Sequence, residues 1–442
     1  MRVVVIGGGF AGLAASVELS RSGARVALLE ARRHLGGRAY SFRHTATGDT
    51  VVNGQHLFMR CYQSTRDFLD RIGTADLLSF QDGFRVDFSH PQMGKMALAF
   101  PRRGPRSYRI LSGFLRFKPF RLADLPGLAR VERTLNDPAS DQCSAADWLD
   151  SVGQSGTLRE YFWDPLCISA LNRAPAEASA RDLRAVLREA FFGQSDGADM
   201  GYAGVGLSAL YTEASRQYIE SHGGEVRSGA AVQRVTRLPN GSLEVSLKAD
   251  ARIEADAVIA AVPPPALLRI LPDGMSPLRE TLSRYRPSPI LSVNLWLDRP
   301  VLQKPVLGLL GSEMQWVFCK SALYAGRDRA APGHITLVAS AADALVGLSD
   351  DALVKMALSD LRTHLPEAEN ASCTQHLVIR ERRATYDLPF SMNRPGNTTD
   401  WPGLYVAGDW TDSGLPATIE GAVVSGQRAA RLAIDFCSAR RT

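Results

Sequence analysis

The 442-residue sequence has no apolar run near the ~18 residues that a membrane-spanning helix needs. The nearest candidate, "ADAVIAAVPPPALL", is interrupted by three prolines, each of which removes an amide donor. A helical membrane span is therefore excluded. Six cysteines (Cys61, Cys143, Cys167, Cys319, Cys373, Cys437) lie far apart with no C-x-x-C pair, so neither a disulfide framework nor a thiolate metal site is expected. A reducing compartment fits that pattern. The eight histidines form no H-x-x-x-H or H-E-x-x-H spacing, and no metal is expected. Long repeats and low-complexity tracts are also missing. The charge imbalance is mild, with a net +5 and pI near 8.9. It suits an anionic surface, and nucleic acid is not expected as a partner. Hydrophobic residues at 45% and charged residues at 22% are ordinary for a globular chain long enough for two intertwined domains.

What is present starts at the first residues, "MRVVVIGGGFAGLAASVELSRSGARVALLEARRHLGGRAY". A basic residue, an apolar run and small residues at Ala14-Ala15-Ser16 imitate a secretory signal. The alternative is a strand–turn–helix–strand unit. Arg2 to Ile6 is a β-branched run of the kind buried in parallel sheets. Gly7, Gly9 and Gly12 form G-x-G-x-x-G: one glycine for the tight turn, one for close approach to a pyrophosphate, one for helix–strand packing. Phe10 to Ser22, with Ala11 in its first turn, reads as a helix whose N-terminus favours phosphate. Ala24 to Leu29 reads as the second strand. It ends at Glu30, 18 residues after Gly12, where a ribose needs an acceptor. Nothing in a signal peptide calls for that acid, so the dinucleotide unit is the expectation.

The continuation "ARRHLGGRAYSF" brings Ala31, Arg32 and a second close-approach pair, Gly36-Gly37, followed by the guanidinium of Arg38, suited to a pyrophosphate leading to a flavin. This tail resembles that of the FAD-dependent amine oxidase and phytoene desaturase superfamily. The resemblance extends to "GLYVAGDWTDSGLPATIEGAVVSGQ", with a strand at Gly403 to Ala407, a loop from Gly408 and a helix from about Thr418. It implies that Asp409 contacts the ribityl–phosphate region of FAD. It implies also that Ala417, Thr418 and Ile419 face the flavin pyrimidine end, where a helix dipole stabilises the reduced anion. A middle piece, "LYTEASRQYIESHGGEVRSGAAVQRV", reads as a helix and short strands, with Val232 implied on the adenine side. The fold class expected is α/β: a Rossmann-type FAD-binding domain from segments 1–56, 202–265 and 373–442. A mixed α+β substrate and membrane-contact domain is inserted as 57–201 and 266–372. No cysteine or histidine falls at an attachment motif, so the FAD is expected to be non-covalent.

"VVNGQHLFMRCYQSTRDFLDRIG", together with "RERRATYDLP" and the C-terminal motif, looks most like the squalene-associated branch, the hydroxysqualene dehydroxylase family of hopanoid biosynthesis. Val52 and Arg60 depart from its pattern. The resemblance implies reductive removal of an allylic hydroxyl from a C30 isoprenoid alcohol, with hydride from reduced flavin N5. Water leaves poorly unless its oxygen is protonated, so an acid is required. His56 is the first candidate for that proton donor or for an orienting group, with Gln55 and Arg60 beside it; Tyr386 and Arg383 are further candidates. Rival functions are a carotenoid or squalene desaturase, an amine oxidase and a non-catalytic prenyl-lipid binder. The retained Gly7, Gly9, Gly12, Glu30 and Asp409 argue against the last.

Between Pro101 and Arg130, eight Arg or Lys residues face one acid, Asp124, with Leu111, Phe114, Leu115, Phe117, Phe120 and Leu122 interleaved. That mixture suits an anionic membrane surface. The expected location is cytoplasmic, peripheral on the inner face of the cytoplasmic membrane.

Overall fold

The computed structural model describes residues 1–138, 141–154, 156–248, 251–272 and 274–440. Its first layer is a five-stranded, wholly parallel sheet in the order Glu225–Ser228, Arg25–Glu30, Arg2–Ile6, Ala257–Ala260, Leu404–Val406. Strands far apart in sequence are thus neighbours, which makes this a discontinuous Rossmann-type α/β unit. The central strand is buried from Val3 to Ile6, as expected for parallel strands covered on both faces. The covering helix Phe10–Arg21 is buried from Phe10 to Ser20 because two more helices enclose it. At the crossing with the C-terminal helix Ile419–Ala439, a Cβ on Gly426 would stand 2.1 Å from the Ala11 carbonyl oxygen. The backbones touch there.

A second layer is a seven-stranded mixed sheet in the order Cys373–Asp387, Arg286–Leu297, His334–Ser340, Trp316–Cys319, Val306–Leu309, Arg85–His90, Gly94–Ala99. One face covers an apolar core that includes Phe88, Phe114, Phe162 and Trp163. Another core, with Leu291, Leu337 and Leu361, lies on the helix Asp350–His364. A three-stranded antiparallel sheet, Val232–Arg237, Leu243–Leu247 and Arg252–Ala255, fills the connection between two strands of the parallel sheet.

One expected boundary needs correction. The strand Cys373–Asp387 had been grouped with the FAD-binding segments, but it is an edge of the seven-stranded sheet, paired antiparallel with Arg286–Leu297. A 15-residue strand must satisfy its amides along a partner of comparable length, and the parallel strands have three to six residues. The last nucleotide-side strand is therefore Leu404–Val406. Smaller shifts occur at element ends. The second strand starts at Arg25 because the Ser22, Gly23 and Ala24 amides still bond to carbonyls of the preceding helix.

Candidate active site

The glycine turn Gly7–Gly12 is built by steric necessity. Gly7 has φ +109°, and a Cβ on it would lie 2.4 Å from the Ala261 carbonyl oxygen. A Cβ on Gly12 would lie 1.8 Å from the Gly7 carbonyl oxygen, so the helix packs on its own incoming turn only as glycine. Gly9 differs: its Cβ would meet nothing nearer than the Gly37 Cα at 3.8 Å. Gly9 is the N-cap of the helix Phe10–Arg21, with no side-chain cap and no acid in the first turn. Its leading N–H groups, from Phe10, Ala11 and Gly12, lack an intrahelical acceptor and suit an anion.

The second glycine pair is held against the first. Gly36 N–H donates to the Gly8 carbonyl at 2.8 Å, and Gly36 and Gly37 adopt φ +113° and +56°. Tyr211, on the helix Leu207–Ser221, places its hydroxyl 2.8 Å from the Gly36 and Ala39 carbonyl oxygens and stacks on Phe10 at 3.7 Å. Glu30 is buried at the end of its strand. It accepts from Gly8 N–H at 2.7 Å and from Arg32 N–H at 2.8 Å. Each oxygen therefore keeps a lone pair for a further donor. Ala31 and Arg32 lie exposed at the rim, and the Arg32 guanidinium donates to the Gly37 carbonyl at 3.1 Å. Gly229 and Ala230 N–H donate to the Arg32 and Glu30 carbonyls, which brings the half-buried Val232 to the same rim.

Arg38 and Asp409, 371 residues apart, form an ion pair at 2.5 Å, and Arg38 also donates to the Ala384 carbonyl at 2.7 Å. Asp409 is buried, and its loop is locked from behind. Gly408 N–H, Thr411 and Asn397 all bond to the Ser425 hydroxyl of the C-terminal helix. Thr418 is the N-cap of that helix, accepting from Gly421 N–H at 3.1 Å, with Ile419 the first helical residue.

Glu420 performs a task that the sequence pattern does not advertise. Its carboxylate accepts from Ser64 N–H, Thr65 N–H and the Thr65 hydroxyl at 2.9, 2.8 and 2.6 Å. It thereby caps the helix Gln63–Arg71 from outside and ties the segment after His56 to the start of the C-terminal helix. At the other end of that segment, Asn53 accepts from Tyr40 N–H and donates to the Arg38 carbonyl. Gln55 and His56 are thus suspended between Arg38 and Thr418.

His56 Nδ1 is buried with no hydrogen-bond partner. Burial lowers the pKa of its ring to about 4; the Gly54 backbone opposes this and the charges of Arg38 and Lys320 reinforce it. Burial therefore favours the neutral ring, which suits the orienting role expected of His56 better than that of proton donor. The Gln55 Oε1 accepts from Lys320 Nζ at 2.5 Å. Lys320 was absent from the residues singled out in the sequence, since a lone lysine 265 positions away carries no motif. Arg60 is corrected as well. Its guanidinium pairs with Asp199 at 3.3 Å and Asp196 at 3.5 Å, donates to the Gln81 carbonyl, and lies over Phe80. Those contacts hold it against the strand pair Leu78–Phe80 and Met200–Ala203. Tyr386 is buried under the Arg38 guanidinium, 5.6 Å from ring centre to Cζ, whereas Arg383 is exposed. Trp410 is core, donating to the Val262 carbonyl. Among the described residues there is no group of histidine, cysteine and acidic side chains that could hold a metal ion.

The Flavin containing amine oxidoreductase family profile matches residues 10–434. Solved structures with the same fold include an oxidoreductase from Methanosarcina mazei (TM-score 0.75, 18% identity, 98% of this chain and 100% of that one). Cyclohexylamine oxidase from Brevibacterium oxydans superposes with TM-score 0.71 at 16% identity over 100% and 99% of the two chains. The protein is thus an FAD-dependent oxidoreductase of amine-oxidase fold. At the sequence level the chain is 31% identical over 451 residues to hydroxysqualene dehydroxylase of Sinorhizobium fredii. It is 30% identical over 443 residues to that of Rhodopseudomonas palustris, with 98% of both chains covered in each case. The chain belongs to the flavin-containing amine oxidoreductases and, within them, to the hydroxysqualene dehydroxylase family.

Proposed function

We propose that the protein removes the allylic hydroxyl of hydroxysqualene, a C30 isoprenoid alcohol, to give squalene. The observation that supports this reading is similarity along 98% of the chain to hydroxysqualene dehydroxylases. FAD, once bound non-covalently and reduced, would supply the hydride. The chain does the rest. The amides after Gly7 and Gly9 and the Gly36-Gly37 turn would receive the pyrophosphate, and Glu30 would accept from the ribose. The Arg38–Asp409 pair would hold the ribityl–phosphate region, Val232 the adenine side, and Thr418 and Ile419 the pyrimidine end. Leu57 and Met59, directly after the motif, pack on the apolar core of the substrate half, which keeps water from the reacting carbon. The alcohol takes up one hydride and one proton and yields the hydrocarbon and water. The test is anaerobic: photoreduce the holoprotein, add hydroxysqualene, and follow flavin absorbance and product. Reoxidation with matching squalene is expected. Reduction of the oxidised flavin by phytoene, squalene or an amine instead moves the protein to the desaturase or amine oxidase reading.

We also infer peripheral docking on an anionic lipid surface. No helix among the described residues is long and apolar enough to cross a membrane. Tyr108, Leu111, Leu115 and Leu122 are exposed at 54, 39, 53 and 69%, four of the six exposed large hydrophobic side chains among the described residues. They lie on and just after the helix Arg106–Arg116, whose inner side is anchored by Phe114 and followed by the buried Phe117. Arg103, Arg106, Arg116 and Arg121 are exposed beside them, whereas Arg109 and Lys118 donate to the Pro101 and Met93 carbonyls. Apolar side chains would enter the acyl boundary while the arginines meet head groups, weakened by salt. Co-sedimentation with phosphatidylglycerol vesicles tests this. Equal binding by wild type and a variant neutralised at those four arginines overturns it.

A further inference from the structure

We propose that Lys320 is the acid of the site: its ammonium protonates the substrate oxygen as the carbon–oxygen bond breaks, while His56 Nδ1 accepts a hydrogen bond from the same hydroxyl. The inference rests on the dehydroxylation proposed above.

The chain uses lysine sparingly, with six lysines among 51 cationic side chains. Lys95, Lys118, Lys248, Lys304 and Lys355 are exposed, and Lys320 is 1% exposed. The strand Trp316–Cys319 in the seven-stranded sheet delivers it at the first position of the short helix Lys320–Tyr324. Its single hydrogen-bond acceptor among the described residues is the Gln55 Oε1, although an ammonium carries three donors. The charged and titratable groups around it are few. Asp328 attracts it, Tyr324 presents its ring 5.6 Å away, and its charge reaches His56 and His334, with Arg38 on the far side of His56. A buried ammonium short of acceptors bonds to Gln55, and a buried imidazole nitrogen with no donor belongs to the next residue, His56. A hydroxyl is both an acceptor and a donor, so it satisfies both.

Lysine rather than arginine is required, because a guanidinium does not release its proton. Burial lowers Lys320 to about 7, with Asp328 opposing, so the group is charged below neutrality and is a competent donor near it. The step balances. The C–O electron pair stays on oxygen, which takes the Lys320 proton and departs as water. The carbon receives the hydride supplied by reduced FAD, and the neutral amine is reprotonated by solvent.

Three measurements decide it. First, hydroxysqualene and squalene are titrated onto oxidised holoprotein and binding is read from the flavin spectrum. Lys320→Met is expected to lose the preference for the alcohol by about tenfold or more while keeping squalene affinity. Second, single-turnover reoxidation of the photoreduced enzyme should be fast below pH 7 and fall above it. Lys320→Met and Lys320→Arg should be slower by about a hundredfold without that limb, with Arg retaining alcohol binding. Third, carbon-13 NMR of labelled lysine in the apoprotein should show one of six signals titrating near neutrality and missing from Lys320→Arg. A Met variant with wild-type preference, rate and pH profile overturns the proposal, as do six lysines that all titrate normally. Should Lys320→Met not bind flavin, the Arg variant and the NMR signal decide alone. Wild-type enzyme that the alcohol does not reoxidise overturns the dehydroxylation itself, which separates the two failures.

Discussion

The dinucleotide cleft and the Gln55–His56–Lys320 cluster are built by opposite means. The cleft is built from backbone: uncapped amides, two abutting glycine turns and a carboxylate at the end of a strand, most of them within residues 7–38. The cluster is built from side chains brought by distant segments, one from a loop beside the parallel sheet and one from a strand end of the other sheet. The first design tolerates almost no change in backbone volume. The second tolerates none in charge, because an ion in a low-dielectric interior depends on each partner.

The largest effect that would sharpen this contrast is at Gly12. Gly12→Val should abolish soluble holoprotein. Its side chain collides with the Gly7 carbonyl, a backbone atom, and the cost exceeds the ~1–3 kcal/mol of ordinary overpacking. Gly9→Ala is the control: it should fold with a normal melting temperature but bind FAD weakly. If both variants fold alike, the two glycines do not have separate duties. Next, Arg38→Met leaves Asp409 buried without its cation and should destabilise the apoprotein by about 3 kcal/mol, read by denaturant titration.

A third prediction concerns acid. Burial holds His56 at about 4, against a usual value near 6.5, so the unfolded chain binds the extra proton first. Stability from this residue is complete above pH 6.5 and is lost as pH falls toward 4, by about 3 kcal/mol. His334, pushed down to about 2 by burial, acts in the same direction. His56→Gln should flatten that part of the stability–pH curve. An unchanged acid limb would mean that the ring is better solvated than its surroundings indicate. Glu30→Ala should weaken FAD binding by roughly 1.5–3 kcal/mol, measured by flavin titration of the apoprotein. The smallest effect is expected at Arg60. Arg60→Ala should cost about 1 kcal/mol of stability with little change in single-turnover rate, because its partners are Asp196, Asp199 and Gln81. A large fall in rate at unchanged stability would return Arg60 to the reacting centre.

Legibility in the sequence follows the same division. Gly7, Gly9, Gly12 and Glu30 were readable because a tight turn, an uncapped helix start and a strand end are local consequences of residue type and spacing. The C-terminal helix start was readable for the same reason, and its cap is at Thr418. Glu420 was noticed only as part of a motif, and its partners Ser64 and Thr65 are some 355 residues away. Segment 373–442 was taken as one FAD-binding piece, and its first strand, Cys373–Asp387, pairs instead with Arg286–Leu297, because residue pattern does not specify a strand's neighbour.

By itself, then, the sequence determined the parallel-sheet unit, the two glycine turns and the choice of a flavin nucleotide, all properties of short stretches whose backbone geometry admits few residues. Only the tertiary structure decided which charged and polar groups meet: Arg38 with Asp409, Lys320 with Gln55, Arg60 with Asp199. It also decided that the His56 ring is held toward its neutral form. Protonation depends on burial and on charges within a few ångströms, and those neighbours come from chain segments that no local pattern connects.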